Sequence, residues 1–186
     1  VAWRDERSGT ISVYYQIMSP GGSRVLAGDL RLNAEDPGSI YTINMAPFSD
    51  GSVGIVWRDD HSGSTHVYYT RVSDVGTLLY NPPLQVDNLP GEQGFNPSIA
   101  QFMDYAYIGF YTRATGNSNV YVVTVNGGSV GPEVLIAGPY EDVDNVKVEV
   151  MLDSGGPPGL VVAWSAVDGV DCNVWAQRIT GGFPQW

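Results

Sequence analysis

Arginines next to carboxylates are the first candidates for a functional site in this sequence. Arg4, Arg58 and Arg113 each follow a short apolar run that ends in an aromatic residue, and acidic residues adjoin the first two. Guanidinium groups bind carboxylates and other planar anions, so arginines converging from several segments would form an anion-binding site. Surface pairing with the adjacent acids is the competing interpretation, and such pairs contribute little stability.

Acidic residues form the second group of candidates. The densest run is Glu141-Asp142-Val143-Asp144, and Ca²⁺ takes six to eight hard oxygen ligands of this kind. The spacing is not that of an EF-hand, so a solvated acidic loop is the alternative, and Ca²⁺ is the only cofactor that we consider. The predicted binding surface consists of Arg4, Asp5, Arg58, Asp59, Asp60, Glu92, Arg113, Glu141, Asp142 and Asp144.

Histidine and cysteine offer few sites for chemistry in this chain. His61 and His66 are the only histidines, and they lack a third ligand for zinc. Cys172 is the only cysteine, which excludes an internal disulfide and predicts a small buried apolar side chain. Since no nucleophile stands near a base, we assign no catalytic residue and predict no hydrolytic triad.

The charge of the chain excludes two classes of partner. Twenty acidic residues against nine basic ones give a net charge of −11, and Lys147 is the only lysine. Proteins that bind nucleic acid or anionic membranes cluster Lys and Arg. No run approaches the roughly 20 apolar residues of a membrane-spanning helix. We therefore predict a protein or carbohydrate partner, no nucleic acid and no membrane insertion.

A repeat of about 54 residues must position these groups. The first landmark is an apolar run ending in an aromatic residue, at Trp3, Trp57, Tyr111 and Trp164. The second landmark is a run that begins with valine, at Val13, Val67, Val120 and Val174. The spacings are 54, 54 and 53 for the first and 54, 53 and 54 for the second. One period in two landmarks, with only strand-like segments, is typical of propeller blades.

Four strands are predicted in each repeat, separated by Gly-containing turns. The first strands lie over 40–46, 97–102 and 146–152, and the second strands are the aromatic-ending runs. The third strands lie over 11–18, 65–72, 119–125 and 172–179, and the fourth over 26–32, 79–86 and 133–137. The second strand is apolar on both sides, as expected for a strand covered on both faces.

The sequence thus predicts an all-β fold of four-stranded antiparallel propeller blades in one partial propeller domain. The repeats run approximately over 1–38, 39–91, 92–138 and 139–186, which makes about three and a half blades. Propellers usually have about 4–8 blades, and unpaired edge strands invite aggregation. Three arrangements follow: the ends pair into a small ring, two copies join as halves of a larger ring, or the chain is part of a longer one.

In an up-and-down blade, the turns that follow the second and fourth strands lie at the same end. Thirteen of the twenty acids, Asp87 among them, fall in these turns, against four arginines. We therefore predict a strongly negative face at this end. Such a face favours solubility or attracts a cationic partner.

The last repeat resembles a repeat of large secreted bacterial proteins. The segments 162–165, 173–179 and 182–186 are similar to its pattern Val-Val-Trp-x-Asp, Ile-Tyr-Ala-Gln-Arg and Gly-x-x-x-Trp, and 91–100 resembles its linker. The third repeat departs from the pattern, with Tyr111 in place of Trp. The resemblance implies an exported β-propeller, secreted or at the cell surface, of a kind assigned to adhesion and scaffolding, and no functional residue carries over.

The main functional prediction is a non-catalytic propeller module that acts in binding, adhesion or as a scaffold. The alternative is a glycoside-processing propeller similar to the sialidases, although segment 49–57 has the wrong spacing for their Ser-x-Asp-x-Gly-x-Thr-Trp turn. Such an enzyme also needs an arginine cluster and a nucleophile with an acidic partner. A second alternative is a half-propeller that assembles with a second chain, and enzymatic activity is left open.

Overall fold

The structure is a computed structural model, and it describes residues 1–7, 9–33, 38–60, 63–89, 93–114, 117–152 and 159–180. Every regular element in these residues is a β-strand, which confirms the predicted all-β class. The described residues contain no helix long and apolar enough to cross a membrane. The strands form four antiparallel sheets that follow one another along the chain.

Each sheet is built from consecutive strands. Sheet one contains β1 (Ala2–Asp5), β2 (Ser12–Tyr15) and β3 (Leu30–Arg31). Sheet two contains β4 (Ile40–Pro47), β5 (Val53–Asp59), β6 (His66–Val72) and β7 (Leu84–Gln85). Sheet three contains β8 (Gln93–Phe102), β9 (Tyr105–Ala114), β10 (Asn117–Asn126), β11 (Ser129–Val130) and β12 (Val134–Tyr140), with both β11 and β12 paired to β10. Sheet four contains β13 (Asp142–Met151), β14 (Gly159–Asp168) and β15 (Asp171–Ile179).

The sheets pack against their neighbours in chain order. β1 contacts β4, β4 contacts β8, and β8 contacts β13. Three buried clusters fill the spaces between sheets: Ile55 and Trp57 face sheet one, Val56 and Phe110 lie between sheets two and three, and Trp164 packs on sheet three. The second strands of sheets two and three, β5 and β9, are therefore covered on both faces, because their successive side chains point to opposite neighbouring sheets.

The aromatic landmark of the third repeat is Phe110, and the assignment to Tyr111 was wrong. The landmark ring stacks on a cross-strand ring in three sheets, in the pairs Trp3–Tyr14, Trp57–Tyr68 and Phe110–Tyr121. Their ring centroids are 6.2, 6.1 and 6.1 Å apart. Tyr111 points to the opposite face and joins the cluster shared with sheet four. Two adjacent aromatic residues fit the sequence pattern equally well, and only the strand register separates them.

An indole–carboxylate hydrogen bond accounts for the Trp-x-Asp pattern of the first two repeats. Nε1 of Trp3 donates to Oδ2 of Asp5 at 3.1 Å, and Nε1 of Trp57 donates to Oδ2 of Asp59 at 3.3 Å. Asp59 is only 1% exposed. Its predicted place on the binding surface was therefore wrong, because its carboxylate lies in the interior and accepts the buried indole N–H.

The other two repeats lack this pair. Phe110 has no N–H, and Thr112 stands two residues later in place of the acid. Trp164 is followed at the same spacing by Ala166, and within the described part of the chain its buried Nε1 has no hydrogen-bond partner. An unsatisfied buried donor costs stability, so sheet four lacks a bond that sheets one and two possess.

The outer strands of the first two sheets are shorter than predicted. The predicted strands over 26–32 and 79–86 are reduced to the two-residue strands β3 and β7. Side chains of the third strand hold these segments in place of a backbone ladder. The Gln16 amide accepts from Leu26 N and donates to Leu26 O, and the Thr70 hydroxyl donates to Tyr80 O at 2.8 Å.

The last strand, β15, is exposed, in contrast to β2, β6 and β10, which are the third strands of the other sheets. β15 pairs with β14, and eight of its nine residues are exposed. Cys172 lies on this strand and is exposed, so the prediction of a buried apolar cysteine was wrong. The physical reason is that β15 lies at the edge of sheet four and neither of its faces is covered within the described residues.

Irregularities near the start of the inner strands link successive sheets. The register of β4, β8 and β13 shifts at Thr42, at Asn96 and Pro97, and at Asp144. The Thr42 hydroxyl donates to Oδ1 of Asn96 at 2.9 Å, and Nδ2 of Asn96 donates to the backbone oxygen of Asp144 at 2.7 Å. Thr42 and Asn96 have φ values of +23° and +43°, a strained region that aims their side chains at the next sheet.

The buried indole–carboxylate bond gives a stability prediction. Asp59→Ala leaves the Trp57 N–H unpaired in the interior, so we expect the free energy of unfolding to fall by about 1–3 kcal/mol. Adding Trp57→Phe removes the unpaired donor and reproduces the arrangement around Phe110. The double variant should therefore lose less stability than the sum of the two single variants, as measured by chemical denaturation.

Asp74→Ala is the matched control, because it removes an exposed acid from a turn of the same sheet. We expect it to change stability by less than about 0.5 kcal/mol. Strict additivity of the Trp57 and Asp59 substitutions would contradict the proposed bond.

Candidate functional site

The side chain of Arg58 lies between two aromatic rings. Arg58 is the penultimate residue of β5 and faces Tyr41 in the register of β4 and β5. Its guanidinium carbon is 4.2 Å from the centroid of the Tyr41 ring and 4.2 Å from that of Phe95, which belongs to the next sheet. Tyr41 is 37% exposed and Phe95 is 8% exposed. The cation is therefore held between an inner ring and a surface ring, an arrangement that stabilises it electrostatically.

A second arginine contacts the same inner ring. The guanidinium carbon of Arg113 is 5.3 Å from the Phe95 centroid and 5.5 Å from that of Tyr111. Nη2 of Arg113 also donates to Oδ1 of Asp142 at 2.6 Å, and both of these side chains are about half exposed. We call the six residues from sheets two, three and four the arginine–aromatic cluster: Tyr41, Arg58, Phe95, Tyr111, Arg113 and Asp142.

Burial dominates the electrostatics of the cluster. Desolvation lowers the pKa of Arg58. The side chains of Tyr41, Tyr111 and Asp60 act on this pKa in the opposite direction, and the positive charge of Arg113 lowers it slightly further. Burial likewise raises the pKa of the Tyr111 phenol. Arg58 stays charged at neutral pH, since arginine titrates far above it. Among the described residues its buried Nε has no hydrogen-bond acceptor.

Two of the three predicted arginines converge, and the third does not. Arg58 and Arg113 share the Phe95 ring. Arg4 occupies in sheet one the position that Arg58 occupies in sheet two, but it pairs with Glu6 at 3.6 Å and donates to Ile40 O at 3.2 Å. Tyr111, not Arg113, follows the landmark ring in sheet three, so the predicted equivalence of the three arginines was wrong.

The predicted acids are dispersed among several environments. Asp5 is bonded to Arg7 and to the Trp3 indole, and these hydrogen bonds lower the pKa of its carboxyl. Asp60 accepts the backbone N–H of Ser39. Glu141 and Asp144 are exposed, and Glu92 lies outside the described residues. Asp142 joins the cluster through Arg113, and the charge of Asp60 acts favourably on Arg58.

The acidic run of sheet four shows no metal-binding geometry. Asp142 binds Arg113, and Oδ2 of Asp144 accepts Nδ2 of Asn145 at 3.0 Å. In the described part of the chain, no three His, Cys, Asp or Glu side chains gather as metal ligands. The Ca²⁺ hypothesis for Glu141, Asp142 and Asp144 stays a prediction that a calcium titration would test.

The predicted binding surface omitted the two rings that hold Arg58. Tyr41 and Phe95 are 54 residues apart, which is the repeat period itself. Each faces the residue that follows the landmark ring, Arg58 in sheet two and Tyr111 in sheet three. An aromatic residue recurring at the start of the first strand is therefore the sequence signal that identifies this half of the cluster.

A carboxyl with a raised pKa lies between β6 and β8, and its hydrogen bonds to His66, Val67 and Gly94 involve no member of the cluster. Burial raises the pKa of Asp87 to about 6. Its oxygens accept the backbone N–H groups of Val67 and Gly94, each at 3.0 Å, and Oδ2 lies 3.3 Å from Nδ1 of His66. A Cβ on Gly94 would lie 2.4 Å from Oδ2, so only glycine admits this carboxylate. Asp87 does not contribute to the predicted negative face, since it is 3% exposed.

In sheet one, the side-chain amide of Asn33 makes the hydrogen bond that the Asp87 carboxyl makes in sheet two. Oδ1 of Asn33 accepts the backbone N–H of Val13 at 2.9 Å, and Asn33 precedes Asp87 by one repeat period. The shared bond fastens the segment after the fourth strand to the third strand. Asp87 therefore has a structural role, and its raised pKa reflects burial.

Three solved structures share the architecture of this chain. A protein of unknown function from Dyadobacter fermentans matches 96% of it, with a TM-score of 0.67 and 16% identity. The endo-arabinase from Bacteroides thetaiotaomicron matches 100% of it, with a TM-score of 0.53 and 13% identity. The α-L-arabinanase from Penicillium chrysogenum, complexed with arabinobiose, matches 86% of it, with a TM-score of 0.54 and 10% identity.

These similarities show the fold and nothing finer. Together with the four sheets, they confirm the predicted propeller architecture as a partial ring. The chain spans 48% of the Dyadobacter protein, 72% of the endo-arabinase and 52% of the α-L-arabinanase. No protein-family model matches the chain, and no curated protein matches it in sequence.

The buried carboxyl of Asp87 gives a pH prediction. Because its pKa rises from 3.8 to about 6 on folding, the folded state binds the proton more tightly. The stability that the protonated Asp87 carboxyl contributes is complete below pH 3.8 and is lost as the pH rises through about 6. Asp87→Asn keeps the acceptor that Asn33 uses and cannot ionise. The free energy of unfolding of the wild type, minus that of the variant, should therefore fall between pH 4 and 6.

Denaturant titrations at several pH values measure this difference. Asp74→Asn, an exposed acid of the same sheet, serves as the control and should give a flat difference. If the free energy of unfolding of the wild type, minus that of Asp87→Asn, rises with pH instead, then the folded protein stabilises the Asp87 carboxylate and does not destabilise it by desolvation.

Proposed function

We propose that the chain is a non-catalytic propeller module that binds carbohydrate through the arginine–aromatic cluster. The observation that carries this proposal is the exposed Tyr41 ring backed by the fixed guanidinium of Arg58. Aromatic faces offer a flat apolar surface to a ligand, and adjacent polar groups fix its orientation. The cluster draws on three sheets, so the packing of the propeller holds it rigid.

The chemistry of the cluster favours binding over hydrolysis. A glycosidase needs one carboxyl as acid and another as base or nucleophile on either side of the scissile bond. In the cluster, Asp142 is engaged with Arg113. Asp87, the carboxyl whose pKa is raised to about 6, is buried elsewhere against backbone N–H groups.

A glycoside-processing propeller is the second candidate. It is favoured by the convergence of Arg58, Arg113 and Asp142 from different sheets, and by the arabinose-polymer activity named for two of the similar structures. Release of reducing sugar from arabinan by the pure protein, abolished by Asp142→Asn, would favour this candidate over a binding module.

Export and assembly belong to the same proposal. We propose an exported module, secreted or at the cell surface, because the repeat resembles those of secreted bacterial proteins. Partnership with a second chain is proposed from the open face of sheet four, where Val174 and Trp175 are exposed. Light scattering after size exclusion tests this partnership, and a strict monomer at micromolar concentration would reject self-assembly.

Loss of the exposed ring tests the binding role. Tyr41→Ala removes the stacking surface and one face of the Arg58 sandwich, so we expect affinity for oligosaccharides to fall about tenfold or more. Calorimetry with arabino-oligosaccharides, followed by a glycan array, provides the measurement.

Trp175→Ala is the matched control, because Trp175 is an exposed aromatic residue of sheet four that is not in the cluster. The Trp175→Ala variant should bind oligosaccharides with the affinity of the wild type. Equal losses in both variants would mean that the cluster is not the binding surface, and saturation on no glycan at all would reject the function.

A further inference from the structure

We infer that Arg58 receives the carboxylate of an acidic sugar, so that the ligand class of the cluster is a uronic-acid-containing glycan. This inference rests on the proposed binding function and names its ligand.

Arg58 differs from five of the other seven arginines in that it forms no ion pair with a carboxylate among the described residues, although the charge of Asp60 favours its charged form. Arg4, Arg7, Arg24, Arg71 and Arg113 each form an ion pair with an aspartate or glutamate. In the described residues the guanidinium of Arg58 forms none, although acids outnumber bases twofold in this chain. Burying a cation without an anion is costly, so a site that does so is suited to an anion supplied from outside.

The sandwich leaves the edge of the guanidinium as the direction of approach. The centroids of the Tyr41 and Phe95 rings each lie 4.2 Å from its central carbon, and Nε is buried, so Nη1 and Nη2 are the donors that remain for an anion. A carboxylate binds arginine through two parallel hydrogen bonds in the guanidinium plane. The exposed Tyr41 ring is next to the guanidinium, so the apolar face of the same sugar ring can pack on it.

The surrounding charge limits the kind of anion. Asp142 belongs to the cluster and Asp144 lies on the same strand of sheet four, and the net charge of −11 repels densely charged polymers over about 10 Å at 0.1 M salt. A pyranose with a single carboxylate can bind one guanidinium and pack on one aromatic ring. A sulfated polymer or a nucleic acid carries many more negative charges, which the acidic chain repels and no further cations at the site neutralise. Lys147 is the only lysine, which also disfavours phosphate.

Calorimetry with three matched probes tests the inference: an oligogalacturonate trimer, its methyl ester, and a neutral arabinotriose. We expect the wild-type protein to bind the trimer about tenfold or more tightly than its ester. Arg58→Gln should abolish that preference, so that the ratio of the affinity for the trimer to the affinity for its ester falls to about one. Arg58→Lys should restore only part of it, because lysine keeps the charge but lacks the planar fork.

Arg24→Gln is the control, since Arg24 lies in the β2–β3 connection and pairs with Asp29, and it should bind all probes like the wild type. Circular dichroism of each variant excludes unfolding as the cause of lost binding. Equal affinity for trimer and ester, together with arabinotriose binding that depends on Tyr41, overturns this inference and leaves the proposed function standing. Binding of a glutamate peptide but of no sugar overturns both.

Discussion

The contact between successive sheets is the constraint on which the rest of this structure depends. Because the described residues contain no helix that could cover them, the sheets bury their apolar faces against each other. Each second strand therefore carries apolar side chains on both sides, and Trp57, Phe110 and Trp164 fill the spaces towards the preceding sheet. The approach is close: a Cβ on Gly109 would lie 2.4 Å from a methyl group of Val148 in sheet four. Such packing fixes the relative positions of neighbouring sheets within narrow limits.

This packing also creates the arginine–aromatic cluster. Arg58 belongs to sheet two, yet one ring of its sandwich, Phe95, comes from sheet three, and Arg113 of that sheet reaches Asp142 of sheet four. No single repeat contains the cluster, which forms only where neighbouring sheets meet. The same position in sheet one holds Arg4, whose ion pair with Glu6 makes it an ordinary surface residue. Arg4 and Arg58 occupy the same position of the repeat, yet their interactions differ, because Arg58 contacts an aromatic ring of the next sheet and Arg4 pairs with a nearby acid.

Periodicity in the sequence was sufficient to predict the strands and their order, because the alternation of apolar residues and glycine turns is local information. It did not separate Phe110 from Tyr111, since only cross-strand register decides which of two adjacent aromatics faces sheet two. It also overestimated the outer strands, where the side chains of Gln16 and Thr70 replace a backbone ladder. For the site, charge indicated Arg58 and Arg113, whereas the burial of Asp59 depends on a hydrogen bond that composition does not reveal.

The links between Thr42, Asn96 and the backbone of Asp144 run in one direction, each donor reaching the sheet that follows it in the chain. Contacts of this kind join only neighbours, as in a linear array. A sheet can therefore dock as soon as it leaves the ribosome, using the surface that its predecessor has already formed. Under mechanical load the same arrangement would unzip from an end, one sheet at a time, instead of yielding all at once.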